Sequence, residues 1–373
     1  MVRQGHVLVD GFFHGRPYGY GRFAAELIRA LSWCPDDDVQ VSAAVPQGVD
    51  PAAWGLGPHI GLVAHRPVNF AVWEQWVIPA LARRLGCDVI HFPYNTRALW
   101  TRGTPTVTTV HDLLFLGSAP AGHRAVKDQL ARAYARAVFH AATRRSDEIV
   151  SVSGTTARGL AARGIASEVV YNTVDGFVSS AAGAARPDPG PSPRYFLHRG
   201  GDAEHRNTGR VIDAFRIVRR TDPDVELRVV GVPGGARTWE VRPDEGITFL
   251  PRQTDAELAT LYSGSACVVA TALAEGFGLP IIEGFAFGTP VITSDRDPMR
   301  EISGGAALLV DPLEVGAIAE AMLSVLHAPD VAARMVHAGS ARYEDFTAPP
   351  VAARMLEIYK RARRGGEGRS PGR

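Results

Sequence analysis

Between Ser179 and Arg194 the chain reads SSAAGAARPDPGPSPR, rich in Ala, Gly, Ser and Pro and without any apolar period. A stretch of that kind has no face to bury against a sheet, so it predicts an interdomain linker. On both sides of it short β-rich runs alternate with helical patterns, the order that builds a parallel sheet wrapped by helices. Before it, Val7 to Asp10, Val39 to Ala44, Cys87 to Phe92, Thr106 to Val110, Glu148 to Val152 and Glu168 to Tyr171 read as strands. Arg22 to Leu31 places Phe23, Leu27, Ile28 and Leu31 on one helical face, and Trp73 to Leu85 and Arg124 to Thr143 pass the same test. After it, strands are expected at Tyr195 to His198, Val225 to Val230, Ile247 to Leu250, Cys267 to Ala270, Val291 to Thr293 and Ala307 to Val310. Helices fall between, among them Asn207 to Arg219 and Leu313 to Leu326, the latter opened by Asp311 as cap with Pro312 in its first turn.

The fold class is therefore α/β, with two doubly wound Rossmann-like domains facing each other across a cleft. The expected boundaries are a first domain over residues 1–178, the linker 179–194, a second domain over 195–345, a closing helix over 346–364 and a disordered tail over 365–373. Ligands of such sheets bind outside the carboxyl ends of the strands.

Charge and composition remove several classes of function. Forty basic residues against 39 acidic give a formal charge of +1, so no bulk basic footprint points to nucleic acid. Lys127 and Lys360 are the only lysines, and neither follows a glycine-rich stretch, which counts against a Walker A loop and against pyridoxal phosphate chemistry. Cys34, Cys87 and Cys267 lack the spacing of a zinc site or a disulfide framework, and a cytoplasmic location is expected. Met1 to Val9 runs into a short strand rather than a signal peptide, and no apolar run approaches the ~18 residues of a spanning helix.

The densest chemical signal is AEGFGLPIIEGFAFGTPV, Ala274 to Val291, directly after a strand. Gly276 and Gly278 disfavour helix and Pro280 suits a first helical turn, so Glu275 is placed in a strand-to-helix loop and Glu283 early in the helix. The start of that helix offers backbone NH groups of Phe277, Gly278 and Leu279 and the positive end of a dipole, an anion site. Carboxylates repel phosphate, so with a diphosphate on those NH groups the two glutamates must take neutral hydroxyls on either side of it. Hydroxyl, diphosphate, hydroxyl describes a nucleotide sugar.

EGFGLPIIE followed by GTPVITS resembles the signature of the family 4 glycosyltransferases, and the resemblance extends over nearly the whole chain. GYGR at Gly19 to Arg22 is similar to the family's N-terminal glycine loop, VHDL at Val110 to Leu113 to its HD pair, and RGGDAEHRN at Arg199 to Asn207 to its GxxxxRKN loop. SVS at Ser151 to Ser153 and YNTVD at Tyr171 to Asp175 resemble two further segments. The resemblance implies the GT-B fold, with an acceptor-binding N-terminal domain, a nucleotide-sugar-binding C-terminal domain and a last helix returning toward the first. It implies a retaining, metal-independent hexosyltransferase acting on a UDP- or GDP-linked sugar and a hydroxyl-bearing saccharide or natural product, without a cofactor. By the same resemblance Glu275 would hold sugar hydroxyls and Glu283 ribose hydroxyls. Phe277, Gly278 and Leu279 would present NH groups to sugar and phosphate, Arg206 would stand on the diphosphate, and His111 would lie beside the transferred sugar. Gly19, Gly21 and Gly200 would let backbone approach the donor. His205 replaces the arginine of the family's loop and Arg206 its lysine, so charge is kept at one position and altered at the other.

Other signals stay open. GYGRFA fits a dinucleotide fingerprint but lies eight residues past the first strand, and the second strand ends without an acid for a ribose. Asp295, Arg296 and Asp297 form a DxD that reads either as a metal motif or, as expected here, as a helix start capped by Asp297. Arg124, Lys127, Arg132, Arg136, Arg144 and Arg145 make a basic helical face, solvated or in contact with anionic membrane. Phe12, Phe13, Tyr18, Tyr20, Trp73, Tyr94 and Trp100 are equally open between acceptor pocket and core. The competing function is a non-catalytic nucleotide-sugar-binding relative acting as a partner or regulator; a glycosidase would leave the anion site without purpose.

Overall fold

The computed structural model describes residues 4–13, 19–48, 55–116, 126–181, 195–201, 203–232 and 239–367. The chain divides into two compact units, Met1–Gly176 with Thr347–Arg373, and Phe177–Phe346.

In the first unit β1 (Gly5–Asp10), β2 (Val39–Pro46), β3 (Ile60–His65), β4 (Val89–Phe92), β5 (Thr106–Val110), β6 (Glu148–Ser151) and β7 (Glu168–Val169) form one parallel sheet in the order β3-β2-β1-β4-β5-β6-β7. Central strands such as β1 and β4 are buried on both faces, the condition of a parallel sheet covered by helices. The helices are α1 (Gly19–Trp33), α2 (Phe70–Val72) continued through a π-helical turn (Trp73–Val77) into α3 (Ile78–Leu85), α4 (Val126–Arg145) and α5 (Gly154–Ala161), while α6 (Asp175–Ser180) begins in the first unit and ends in the second. Asn69 Oδ1 accepts from the amide of Val72, which starts the helix three residues before the expected Trp73. Strand β3 is absent from the sequence expectation: it is a half-exposed edge strand whose IGLVAH shows neither clean alternation nor a continuous apolar run.

The second unit is a parallel sheet in the order β10-β9-β8-β11-β12-β13. Its strands are β8 (Tyr195–Arg199), β9 (Glu226–Val230), β10 (Ile247–Leu250), β11 (Cys267–Ala270), β12 (Val291–Ser294) and β13 (Leu308–Val310). Its helices are α7 (Thr208–Thr221), α8 (Asp255–Gly264), α9 (Leu279–Ala286), α10 (Met299–Ser303), α11 (Val315–His327) and α12 (Pro329–Tyr343). Phe196, Phe215, Leu227, Val269, Ile292 and Met322 form the centre of its core.

The last helix, α13 (Ala348–Glu367), belongs to the first unit. There the Tyr359 hydroxyl meets His91 Nδ1 at 2.7 Å, and Lys360 Nζ lies 2.8 Å from Asp36. The helix continues through Gly365 and Gly366, where the tail was expected, and residues 368–373 lie outside the described residues. Of the expected linker, residues 179–180 close α6 and residues 182–194 lie outside the described residues. Helix α11 starts at Val315 rather than Leu313; Asp311 Oδ1 instead accepts from the Leu313 amide in the turn before it.

In each sheet the strand order reverses beside the first strand, between β1 and β4 and between β8 and β11. Crevices at such a reversal, outside the carboxyl ends, are where open sheets take ligands. In the second unit that position brings together the end of β8 and the loop after β11.

Candidate active site

One side chain ties the loops at this end of the second sheet together. Asn207 sits at φ 61, a left-handed conformation that Asn tolerates, and its amide donates to the carbonyls of Thr271 at 2.9 Å and Pro312 at 2.7 Å. The Leu273 amide donates to the His205 carbonyl at 2.8 Å. Arg206, between these anchors, is thereby aimed at the loop after β11, where its Nη1 donates to Glu275 Oε1 at 2.7 Å. Both line a small pocket, open to solvent, whose wall also includes His198, Arg199, Gly278 and Pro280.

Helix α9 opens into the same pocket. Gly278 is its N-cap at φ 110, a backbone conformation closed to most L side chains, and a Cβ there would lie 3.0 Å from Ile281 Cδ1. Pro280 occupies the first turn, where its missing NH costs nothing. Leu279 is the first helical residue and Phe277 is buried just before the cap. Gly200, at the end of β8, donates its amide to Val230, and a Cβ there would come within 2.7 Å of Val229 Cγ1, so packing alone already demands glycine.

Glu283 lies deeper than its expected role requires. It is fully buried; Arg199 Nη1 and the Tyr262 hydroxyl each donate to its Oε2 at 2.5 Å. Burial opposes the charge on Arg199, but Glu283 and Tyr262 more than offset it, so its pKa is raised. Burial and the neighbouring Glu283 push the Tyr262 hydroxyl far above its usual range. Arg199 and Tyr262 escaped sequence reasoning because their partner is 84 and 21 positions away and no short motif spans them.

The remaining expected residues belong to the first unit. His111 follows β5 and is buried, with Tyr20 at 4.8 Å and Phe23 at 4.7 Å between ring centroids. Its amide donates to Asn95 Oδ1 at 2.7 Å and its Nε2 meets the Pro93 carbonyl at 2.9 Å. A carbonyl only accepts, so Nε2 carries the proton and Nδ1 is the acceptor. Burial lowers the imidazole pKa to about 4, against a smaller opposing effect of the Pro93 bond, so the ring is neutral at pH 7. Gly19 and Gly21 fall in the first turn of α1 rather than in a loop, and Gly19 has open space where a Cβ would stand.

Other candidates resolve into structural contacts. Asp295 pairs with Arg300 at 2.7 Å, and helix α10 takes Pro298 rather than Asp297 as its N-cap. Among the described residues no cluster of three His, Cys, Asp or Glu side chains is placed to hold a metal ion. Phe12, Trp73 and Tyr94 are core, Trp100 is exposed, and Tyr18 lies outside the described residues. His91 is buried between the Tyr359 and Thr109 hydroxyls. In the basic face, Arg136 donates to the Phe115 carbonyl; Arg124 and the side chains of Lys127 and Arg132 lie outside the described residues.

Residues 186–342 match the model of the group 1 glycosyl transferases and residues 17–176 that of glycosyltransferase family 4. Among curated relatives, the O-antigen chain mannosyltransferase RfbU of Salmonella typhimurium is 27% identical over 72% of this chain and 74% of its own. Glycogen synthase of Mycobacterium tuberculosis is 28% identical over 93% of this chain and 92% of its own. Among solved structures, Anabaena HepE in complex with UDP and glucose superposes with a TM-score of 0.66 at 16% identity, covering 96% of this chain and all of that one. Sucrose-phosphate synthase of Thermosynechococcus elongatus gives 0.67 at 16% identity, covering 96% and 98%. With two Rossmann-like parallel α/β units, the chain belongs to the superfamily of glycosyltransferases with the GT-B fold, enzymes that transfer a sugar from a nucleotide-sugar donor to an acceptor. Within it, the chain is related to the group 1 and family 4 glycosyltransferases.

Proposed function

We propose that the protein is a family 4 enzyme that moves a hexose from a UDP- or GDP-linked donor to a hydroxyl of a saccharide or natural product, retaining the anomeric configuration and using no metal. The observation that carries the proposal is the Arg206 to Glu275 contact of 2.7 Å in the wall that also holds the start of α9. A cation and a helix N-terminus converge there with a carboxylate beside them, so one site offers charge for a diphosphate and an acceptor for sugar hydroxyls. Guanidinium has five NH donors. Arg206 therefore keeps one edge on Glu275 and turns another to the β-phosphate, fixing both groups relative to the bond that breaks.

In the proposed step the acceptor oxygen attacks the anomeric carbon from the face the diphosphate leaves. The carbon to phosphate-oxygen bond breaks, and the departing β-phosphate takes the hydroxyl proton. Arg206 and the amides of Gly278 and Leu279 stabilise the charge that develops on that phosphate. Neutral His111, with Nδ1 as acceptor, is suited to a hydroxyl of the transferred sugar, and Glu283 with Arg199 to the ribose. The related mannosyltransferase and glycogen synthase support a hexose donor. A panel of nucleotide sugars screened by thermal shift, followed by proton NMR of the product anomer, tests the reading. A donor that stabilises the protein and yields a product of unchanged anomeric configuration is expected; an inverted product refutes it.

A further inference from the structure

The first unit carries an exposed surface to which no contact described above assigns a role. Along the continuous helix from Phe70 to Leu85 the exposed positions Val72, Trp76, Ala80, Arg83 and Arg84 recur about one turn apart, so they share a face. Glu74, the acid of this segment, is fully buried and hydrogen-bonded by the Thr96 and Tyr134 hydroxyls, so the outer face shows no negative charge. Beside it the loop Leu99 to Gly103 reads LWTRG and exposes Leu99, Trp100 and Arg102. The two segments are pinned together, the Leu99 amide donating to Gln75 Oε1 at 2.9 Å. Trp76 and Trp100 are each 74% exposed, the most exposed of the large hydrophobics described.

Two outward tryptophans with Val72 and Leu99 give these two joined segments their exposed apolar surface, and the charged groups of both segments that reach solvent are arginines. A neutral glycan would stack on the indoles but gain nothing from Arg83, Arg84 and Arg102. A surface with an apolar layer under a sheet of phosphates satisfies both, because indole rings settle at the headgroup level and each nearby arginine is attracted to anionic lipid. We propose that this face docks the protein peripherally on an anionic lipid bilayer. Among the described residues no single helix is long and apolar enough to span a membrane, so the contact is with the surface.

The test is sedimentation of the full chain with vesicles of phosphatidylcholine alone and of phosphatidylcholine mixed with phosphatidylglycerol. Binding to the anionic vesicles should be at least about tenfold tighter and should weaken as salt rises. The double variant Trp76→Ser with Trp100→Ser should lose roughly tenfold or more of that binding with circular dichroism and melting temperature unchanged. Arg83→Gln with Arg84→Gln should remove the preference for anionic lipid while leaving residual apolar binding. Absence of binding to anionic vesicles at low salt overturns the proposal, as does a tryptophan variant that binds like the wild type. A lipid-free dimer that the tryptophan variant abolishes also overturns it, by assigning the face to a second copy of the chain.

Discussion

Arg199 Nη1 lies 2.5 Å from Glu283 Oε2, on the oxygen that the Tyr262 hydroxyl also approaches at 2.5 Å, so the buried carboxylate is held by two donors from its own unit. Arg199 belongs to the pocket wall, and Glu283 is fully buried behind it. Removing one partner strands the other charge, whereas removing both strands none.

Arg199→Met should therefore destabilise the protein by about 3 kcal/mol, near the low end for a broken buried pair because the guanidinium is partly exposed. The double variant Arg199→Met with Glu283→Gln should cost less than the sum of the single changes. Denaturant unfolding of the four proteins measures the coupling, and strict additivity would show that the contact carries no energy.

Glu283→Gln should weaken free nucleoside diphosphate and donor alike, while Glu275→Gln should spare the free nucleotide, which has no sugar to lose. Calorimetry with UDP and GDP on both variants separates the two carboxylates. Equal losses would remove the ribose assignment.

Burial raises Asp10, at the end of β1, to a pKa of about 7, against opposing hydrogen bonds from the Phe12 amide and the Trp73 indole. A carboxyl whose folded pKa exceeds its unfolded value holds its proton more tightly in the native state. Its stabilising effect is complete below about pH 4 and is lost as pH rises to about 7. Asp10→Asn does not titrate, so its stability relative to the wild type should improve by a few kcal/mol across that window, with no further change above it. Thermal unfolding of both proteins from pH 4 to pH 8 checks the sign.

Gly278→Ala places a Cβ at φ 110, 3.0 Å from Ile281 Cδ1. The start of α9 must then shift, which should cost about 1–3 kcal/mol and lower turnover, whereas Gly316→Ala in the exposed first turn of α11 should diminish neither stability nor turnover. Parallel melting and transfer assays on Gly278→Ala and Gly316→Ala, whose Cβ would meet nothing, make the comparison.

Much of this was legible in the sequence because parallel strands and amphipathic helices leave local patterns. Gly276, Gly278 and Pro280 located the start of α9 since their backbone preferences act within a turn. The depth of Glu283 was not legible, because the helix period places it on a face without saying that Arg199 and Tyr262 already occupy it. Asp297 failed as a cap for a related reason: the chain starts α10 after Pro298, so the capping residue fell one position later than residue type suggested. Strand β3 escaped because an edge strand facing solvent loses the apolar run that marks the central ones.

In the proposed reaction Arg206 and the α9 amides carry the leaving-group charge without a metal. Transfer assays on wild type and Arg206→Ala, each with and without chelator, test it most directly. Chelator should leave wild-type turnover unchanged, and Arg206→Ala should lower it by at least about 100-fold with the fold intact. Activity abolished by chelator, together with an Arg206→Ala variant that turns over like the wild type, would contradict it.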